Sequence, residues 1–340
     1  MSLPTILLTG ATGYIGSHTW LSLLEAGHAV IGVDDFSNSS PHVLPRLRGL
    51  CGHEPSFERA DIRDAAALDR IFAGNAIAAV VHFAAFKAVG QSTAQPLAYY
   101  ANNLGGLLTV CQAMQRHGCR TLVFSSSATV YGRPQSLPIR EDAALAASNP
   151  YGQTKLMSEQ ILRDLQAADP LWAIACLRYF NPVGAHESGQ IGEDPRGTPN
   201  NLMPYVAQVA IGRRPQLQVF GNDYATPDGT GVRDYIHVTD LAEGHVAALR
   251  YLQGTRASIT VNLGTGQGHS VLEVVRAYER ASGRPVPYAF APRRPGDIDA
   301  CYADASLARE RLHWQAERSL QRMCEDSWRW QSNNPHGFEA

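Results

Sequence analysis

Apolar runs of strand length alternate with helix-length amphipathic stretches through the first half of the chain. "TILLTG" (5–10) reads as a strand and precedes a helical pattern from Tyr14 to Ala26. "AVIGVD" (29–34), "SFERAD" (56–61), "AAVVHFA" (78–84), "TLVFSSS" (121–127) and "AIACLRY" (173–179) read as further strands. Between them lie a helical "AAALDRIFA", a long helical pattern over 98–117, and another from Tyr151 to 168. Regular exchange of apolar strands with helices predicts a parallel sheet covered on both faces, a Rossmann-like, doubly wound α/β fold.

The pattern loosens after "FNPVG" (180–184). Residues 185–235 are loop-rich, with "DPRGTPNN" and "GNDYATPDGTG", and the strand-like pieces "QLQVFG" and "SITVNLG" sit among helical stretches. The expected organisation is a first domain over 1–180 and a smaller α/β domain over 181–340, packed on the open edge of the sheet. No linker separates them, so some segments should be interleaved.

Composition narrows the classes. The chain has 340 residues, 18% of them charged, and a net charge of −2, which gives no electrostatic footprint for nucleic acid or an anionic membrane. Its longest apolar stretch, Ala76 to Phe86, is too short to span a bilayer and contains His82. The start "MSLPTILLTGATGYIG" lacks a basic region and turns glycine-rich, unlike a signal peptide. Cys51, Cys111, Cys119, Cys176, Cys301 and Cys324 form no C-x-x-C pair, so reduced thiols are expected rather than disulfides or a metal site. These features describe a soluble cytoplasmic protein.

"TGATGYIG" places Gly10, Gly13 and Gly16 between the first strand and the first helix. Glycine there allows a tight turn, close approach to a pyrophosphate, and packing of helix on strand. The helix N-terminus adds unpaired N–H groups and partial positive charge. Asp34 ends the second strand, where a carboxylate accepts hydrogen bonds from an adenosine ribose and repels a 2′-phosphate; NAD is therefore favoured over NADP. Asp61 and Ile62, after the third strand, are weaker candidates to flank the adenine.

In "NPYGQTK", Tyr151 and Lys155 stand four residues apart on one helical face, behind Pro150, a residue suited to a helix start. A free tyrosine has a pKa of about 10 and is a poor base at neutral pH. A nearby ammonium and a cationic nicotinamide would both favour the phenolate and prepare it to accept a hydroxyl proton. Ser127, ending the fifth strand, lies where it can hydrogen-bond the same substrate oxygen. The tyrosine–lysine pair alone is common on solvated helices; with the glycine turn and the strand-end serine the set is specific.

This combination resembles the extended short-chain dehydrogenase/reductase superfamily, and within it the UDP-glucose 4-epimerase family. "TGATGYIGSHT", "VHFAAFKAVGQS", "FSSSATVYG", "LRYFNPVGAH", "NNLMPYVAQVA", "GTGVRDYIHVTDLA" and "NLGTGQGHSV" carry the resemblance over nearly the whole chain. It implies an NAD-dependent isomerase that interconverts UDP-galactose and UDP-glucose through a 4-keto intermediate with tightly held NAD. Tyr151 would be the acid/base, Lys155 would tune it and hold the nicotinamide ribose, and Ser127 would orient the 4-oxygen. The NAD site would comprise Gly10, Gly13, Tyr14, Ile15, Gly16, Asp34, Asn38, Ser39, Asp61, Ile62, Phe83, Ala84, Lys87, Asn102, Tyr151, Lys155 and Phe180. The UDP-sugar would meet Lys87, Ser127, Tyr151, Phe180, Asn181, Asn201, Leu202, Phe220, Arg233, Tyr235, Arg294, Asp297 and Cys301. A homodimer through the helices over 98–117 and 151–168 is also implied, though these helices could simply cover the sheet.

Physical sense runs alongside the resemblance. Arg233 and Arg294 offer planar forks for a diphosphate. Asn201 could instead cap the helix that follows it, and Phe220 could be core. "FAAFK" departs from the family's glycine and leucine before the lysine. Cys301 stands where some relatives carry a tyrosine, leaving room that suggests UDP-GlcNAc and UDP-GalNAc as additional substrates. A nucleotide-sugar 4,6-dehydratase would need acidic residues after Ser127, where this chain has Ala128 and Thr129. A non-catalytic NAD sensor could dispense with the tyrosine–lysine pair, which is intact here.

Overall fold

The computed structural model describes residues 4–197, 199–294 and 296–338. Its first part runs β1 (Thr5–Thr9), α1 (Tyr14–Glu25), β2 (Val30–Asp34), α2 (Val43–Cys51), β3 (Ser56–Arg59), α3 (Ala65–Gly74), β4 (Ile77–His82), α4 (Val89–Ala94), α5 (Pro96–Arg116), β5 (Thr121–Ser127), α6 (Pro150–Ala168) and β6 (Ala173–Tyr179). All six strands expected in this half are present. Helices α2 and α4 were not expected. Pro45 and Gly49 give α2 weak intrinsic propensity, and it persists by burying Val43 and Leu47. α5 begins at Pro96, ahead of the apolar pattern, because proline is pre-set for the first helical turn.

The sheet is parallel, in the order β3-β2-β1-β4-β5-β6, and is completed by the strand Ile259–Leu263 beside β6. "SITVNLG", grouped with the smaller half on sequence, therefore lies in the large sheet. The helix before it, Val238–Thr255, packs Leu241 and Leu249 in the same core cluster as Trp20 and Leu21 of α1. Strand pattern alone cannot say which sheet edge a segment joins, and here the chain leaves the large sheet after β6 and returns to it. One face of the sheet buries this cluster; the other buries Leu68, Phe72, Leu107, Met114 and Leu162 from α3, α5 and α6. Gly32, in the middle of β2, admits the Trp20 ring: a Cβ there would lie 2.1 Å from it.

The winding reverses between β1 and β4, so the loops leaving these adjacent strands part and open a crevice at their C-terminal ends. The hydrogen bond between the Thr9 hydroxyl and His82 Nδ1 (2.8 Å) ties the two strand ends together. The smaller part is built on the strand Val232–His237. It pairs antiparallel with Gly268–Ser270 and parallel with Asn181–Val183 and Ala300–Cys301. Leu217–Phe220 and Tyr288–Ala291 form a separate parallel pair. Helices Leu202–Ala210, Val271–Ser282 and Leu320–Asn333 meet over Val206, Val275, Tyr278 and Met323.

Three buried histidines are held neutral by desolvation. Burial lowers His18 and His82 to about 3 and His245 to about 4. Their folded-state values lie below the ordinary 6.5 of an unfolded chain, so the stability they protect is present above that pH. It is lost as pH falls, because the unfolded chain takes up protons that the folded one refuses. Three such groups give a slope of roughly 4 kcal/mol per pH unit between about pH 6 and pH 4. Denaturant titrations across this range should show stability collapsing on acidification; a flat profile down to pH 4.5 would contradict the neutral, buried assignment.

Candidate active site

β1 turns through Gly10 into α1. Gly10 holds a φ of +68°, and a Cβ there would lie 2.7 Å from the Ala84 backbone nitrogen. A Cβ at Gly16 would lie 2.1 Å from the Gly10 carbonyl oxygen. Only hydrogen fits at these points, so the loop after β4 closes onto the turn. Gly13, at the N-cap of α1, has no side chain to satisfy the first N–H groups, which remain available to an anion in the crevice.

At the end of β2, Asp34 is held from three directions. It accepts hydrogen bonds from the Thr12 N–H (3.1 Å), the Phe36 N–H (2.9 Å) and the Ser39 hydroxyl (2.9 Å). Thr12 and Ser39 hydrogen-bond each other at 2.8 Å, and Asn38 beside them is exposed. Tyr14 donates its hydroxyl to the Gly184 carbonyl at 2.8 Å, while Ile15 packs on the core. Phe83 lies against His245, ring to ring at 4.7 Å, and Phe180 is buried at the end of β6. Asn102 donates to the Asn103 side chain at 3.1 Å.

The pair after β3 is anchored by its neighbours. Arg63 grips the Asp61 carboxylate, with Nη2 at 2.6 Å, and the Ile62 side chain is core, facing Gly106 of α5.

α6 begins as its sequence suggests. Pro150 occupies the first turn, and the Asn149 side chain accepts the Gly152 N–H at 2.9 Å. A Cβ on Gly152 would lie 3.0 Å from the Thr129 carbonyl, so glycine lets this turn settle on the segment following Ser127. Tyr151 is thereby brought beside Ser127, whose oxygen accepts the Thr129 hydroxyl at 2.9 Å. Lys155 is buried; its Nζ donates to the Ser125 carbonyl at 2.6 Å and lies 6.0 Å from the centre of the Tyr151 ring.

The electrostatics differ from expectation in one respect. Burial pushes the Tyr151 phenol up to about 12, with the Ser127 hydrogen bond pulling down and Tyr99 adding to the rise. Burial lowers Lys155 to about 7, and the Glu159 carboxylate opposes it. The lysine does not by itself lower the phenol. Its ammonium is directed at the Ser125 carbonyl, and desolvation dominates both groups.

The other residues assigned to the second ligand, beyond Lys87, Ser127, Tyr151 and Phe180, come from the smaller part. Asn181 pairs in register with Tyr235, and Cys301 with Arg233, so four of them share one small sheet. Arg233 Nη1 donates to the Val232 and Ile298 carbonyls at 2.8 and 3.0 Å. Arg294 pairs with Asp297 at 2.9 Å and lies over the Phe220 ring at 4.9 Å. Phe220 is 37% exposed, so it is not core. Asn201 stands at the N-cap of Leu202–Ala210 but makes no side-chain cap; its amide donates to Glu193 at 3.0 Å.

Glu193 escaped the sequence reading. The same carboxylate oxygen that receives Asn201 receives Lys87 Nζ at 3.2 Å, joining the loop after β4 to the smaller part. Asn103 also escaped: buried, it bonds both the N–H and carbonyl of Phe86 and the Thr154 hydroxyl, tying that loop to α6. Arg196, donating to the Ser37 and Ser39 carbonyls at 3.2 and 2.6 Å, is a third. None sits in a pattern that periodicity or motif spacing would single out. Each has a partner far off in the chain, 159 residues away for Arg196, 51 for Asn103 and 106 for Glu193.

A glycine turn at a sheet reversal, with a serine, tyrosine and lysine gathered at a neighbouring strand end, defines a protein of the short-chain dehydrogenase/reductase class. The family model described as GDP-mannose 4,6 dehydratase matches residues 7–327. A UDP-glucose 4-epimerase of Bacillus subtilis (strain 168) is 59% identical over 335 residues, 98% of this chain and 99% of that protein. The crystal structure of UDP-glucose 4-epimerase from Bifidobacterium longum in complex with NAD+ and UDP superposes with a TM-score of 0.94 at 54% identity, covering 98% of this chain and 99% of that one. The Stenotrophomonas maltophila enzyme, with bound NAD and formylated UDP-arabinopyranose, gives a TM-score of 0.96 at 52% identity over the same shares. The chain belongs to the UDP-glucose 4-epimerase family, in agreement with the resemblance drawn from its motifs.

Proposed function

We propose that the protein interconverts UDP-galactose and UDP-glucose by inverting the sugar at C4. The observation that carries this reading is the placement of Tyr151 against Ser127, with Lys155 buried one turn further along the same helix. The crevice fits NAD: a side-chain-free turn faces the free N–H groups of α1, and Asp34 is fixed where a ribose diol would meet it. Gly10 and Gly13 would hold the pyrophosphate, Asp34 and Ser39 the adenosine ribose, and Phe83, Lys87, Asn102 and Lys155 the nicotinamide end. Bound NAD would supply the hydride acceptor and donor and a cationic nicotinamide charge to the site.

Tyr151 takes the proton of the 4-hydroxyl and later gives one back. Ser127 orients the 4-oxygen as a hydrogen-bond donor. A lysine near 7 and a phenol near 12 are each displaced by burial, so added positive charge in the crevice favours the phenolate. Arg233, Arg294 and Asn201 hold the diphosphate, and Phe220 offers a ring face to the uracil. With binding concentrated on UDP, the hexose is free to turn over between the two hydride transfers. Ala128 and Thr129 follow Ser127, and neither is an acid that could drive loss of water from the sugar.

Three finer assignments belong to the same reading. Cys301 packs against the cluster of Phe180, Tyr131 and Ile139; burial lifts its thiol to about 11, so it acts as a small neutral side chain. The space it leaves admits an N-acetyl group, and UDP-GlcNAc and UDP-GalNAc become substrates. Two copies associate through α5 and α6, where Leu97, Leu108 and Met157 are exposed at 82%, 43% and 42%. Six unpaired thiols suit the cytoplasm. No helix among the described residues is long and apolar enough to cross a membrane.

Tyr151→Phe should retain bound NAD, seen by absorbance, while epimerisation falls ~100- to 10,000-fold; turnover within a few fold of the parent would remove Tyr151 from its role. Cys301→Tyr should cut the rate on the N-acetylated pair ~10-fold or more with little change on UDP-galactose. An unmodified protein inert toward UDP-GlcNAc would end that assignment. Leu97→Glu with Leu108→Glu should sediment as a monomer if the two helices join the copies, and an unchanged sedimentation coefficient would move the interface elsewhere.

A further inference from the structure

Of the 29 lysine and arginine residues, only Lys87 and Lys155 are lysine. The other 27 (29 − 2) are arginine, which keeps its proton throughout the accessible pH range. Lysine, the cation that can lose its proton when desolvated, occurs only at the candidate site. One of the two is buried against β5 and faces a second buried charge.

Glu159 is one turn beyond Lys155 and two beyond Tyr151, on the same face of α6. It is fully buried. Arg178 of β6 grips it with two bonds, Nε to Oε1 at 2.9 Å and Nη2 to Oε2 at 2.7 Å. The Ser126 hydroxyl donates to Oε1 at 2.6 Å, next in sequence to the Ser125 carbonyl that receives Lys155. Arg178 in turn donates to the Tyr131 hydroxyl and the Glu141 carbonyl, each at 2.9 Å. A buried ion pair is weak evidence for stability, since an apolar pair of similar volume often serves as well. Its position beside Lys155 supplies a different reason for it.

We propose that Glu159, clamped by Arg178, is the positioning residue whose charge sets the protonation of Lys155, on the helix that carries Tyr151. The groups facing Lys155 are few. Tyr151 and Glu159 lie on its own helix and His82 on β4; β5 contributes the Phe124 ring and the Ser125 carbonyl. Tyr99 of α5 and Tyr179 of β6 act on or through Tyr151, and Arg178 and Arg163 act through Glu159. His82 is neutral, so Glu159 is the one anion among them. It opposes the desolvation that drives Lys155 toward the neutral amine. The effect on turnover rests on the epimerase reading; the effect on Lys155 does not.

Two lysines make the test direct. The full-length, NAD-loaded protein labelled with isotopic lysine should give two side-chain titrations by NMR, with Lys155→Arg identifying the one that belongs to Lys155. Glu159→Gln should lower that midpoint by ~1 pH unit. The alkaline limb of kcat should move with it while KM for the UDP-sugar stays within about twofold. Glu159→Asp, which keeps the charge, should restore most of the shift. If the lone Arg178 charge prevents Glu159→Gln from folding, the Glu159→Gln/Arg178→Gln double variant leaves no unpaired guanidinium and should show a smaller fall in the same direction. A Lys155 midpoint unmoved in the folded variant overturns the proposal. A moved midpoint in a protein that epimerises no UDP-sugar would sink the functional reading and leave this one standing.

Discussion

Three charged side chains lie between α6 and the sheet, and the layer closes only because each has an answer. Lys155 is met by the Ser125 carbonyl, Glu159 by Ser126 and Arg178, and Arg178 by Glu159, Tyr131 and the Glu141 backbone. Removing any one partner would leave a charge in a low-dielectric layer, a cost of several kcal/mol. The register of α6 on β5 is therefore over-determined. Tyr151, at the open end of the same helix, inherits its position beside Ser127 from that register.

The junction between the two parts follows a different rule. It adds polar contacts at the rim to an apolar layer behind them. The Tyr14 hydroxyl reaches Gly184, Arg196 reaches the loop after β2, and Glu193 is shared by Lys87 and Asn201. Two of the groups it engages, Lys87 and Asn201, are ones the ligands would need. A junction made this way holds the halves in register and can still exchange partners, because exposed charged hydrogen bonds are each worth little. The apolar contribution comes from further back, where Ala185, Ile191, Ile236 and Trp330 join the buried cluster of Ile6, Trp20 and Leu23.

Much of the site was legible because it is local. The glycine turn, Asp34 at a strand end, and the tyrosine–lysine pair behind Pro150 each fall within a few residues of a strand or helix boundary. Local chemistry determines what those boundaries do. Asn201 shows the limit of that method: its position at a helix start was read correctly, but a carboxylate eight residues upstream takes the amide that would have capped the helix. Phe220 shows another. Its alternation in "QLQVFG" is compatible with core or surface, and only its exposure in the folded chain, beneath the Arg294 guanidinium, decides the matter. The pKa of Tyr151 is a third, since the distance to Lys155 was right while the direction of the ammonium was not available from spacing.

The amino-acid sequence alone determined the alternation of strands and helices, the turn that can accept a pyrophosphate, the tyrosine–lysine pair on one helical face, and the family. These follow from periodicity and from short motifs whose physics is complete within a turn or two. The tertiary structure decided that Ile259–Leu263 completes the large sheet, that Ile62 is core, that Glu193 bridges the halves, and that Glu159 and Arg178 stand behind Lys155. Each of those depends on a partner distant in the chain, and burial and charge compensation are properties of the packed molecule rather than of any segment.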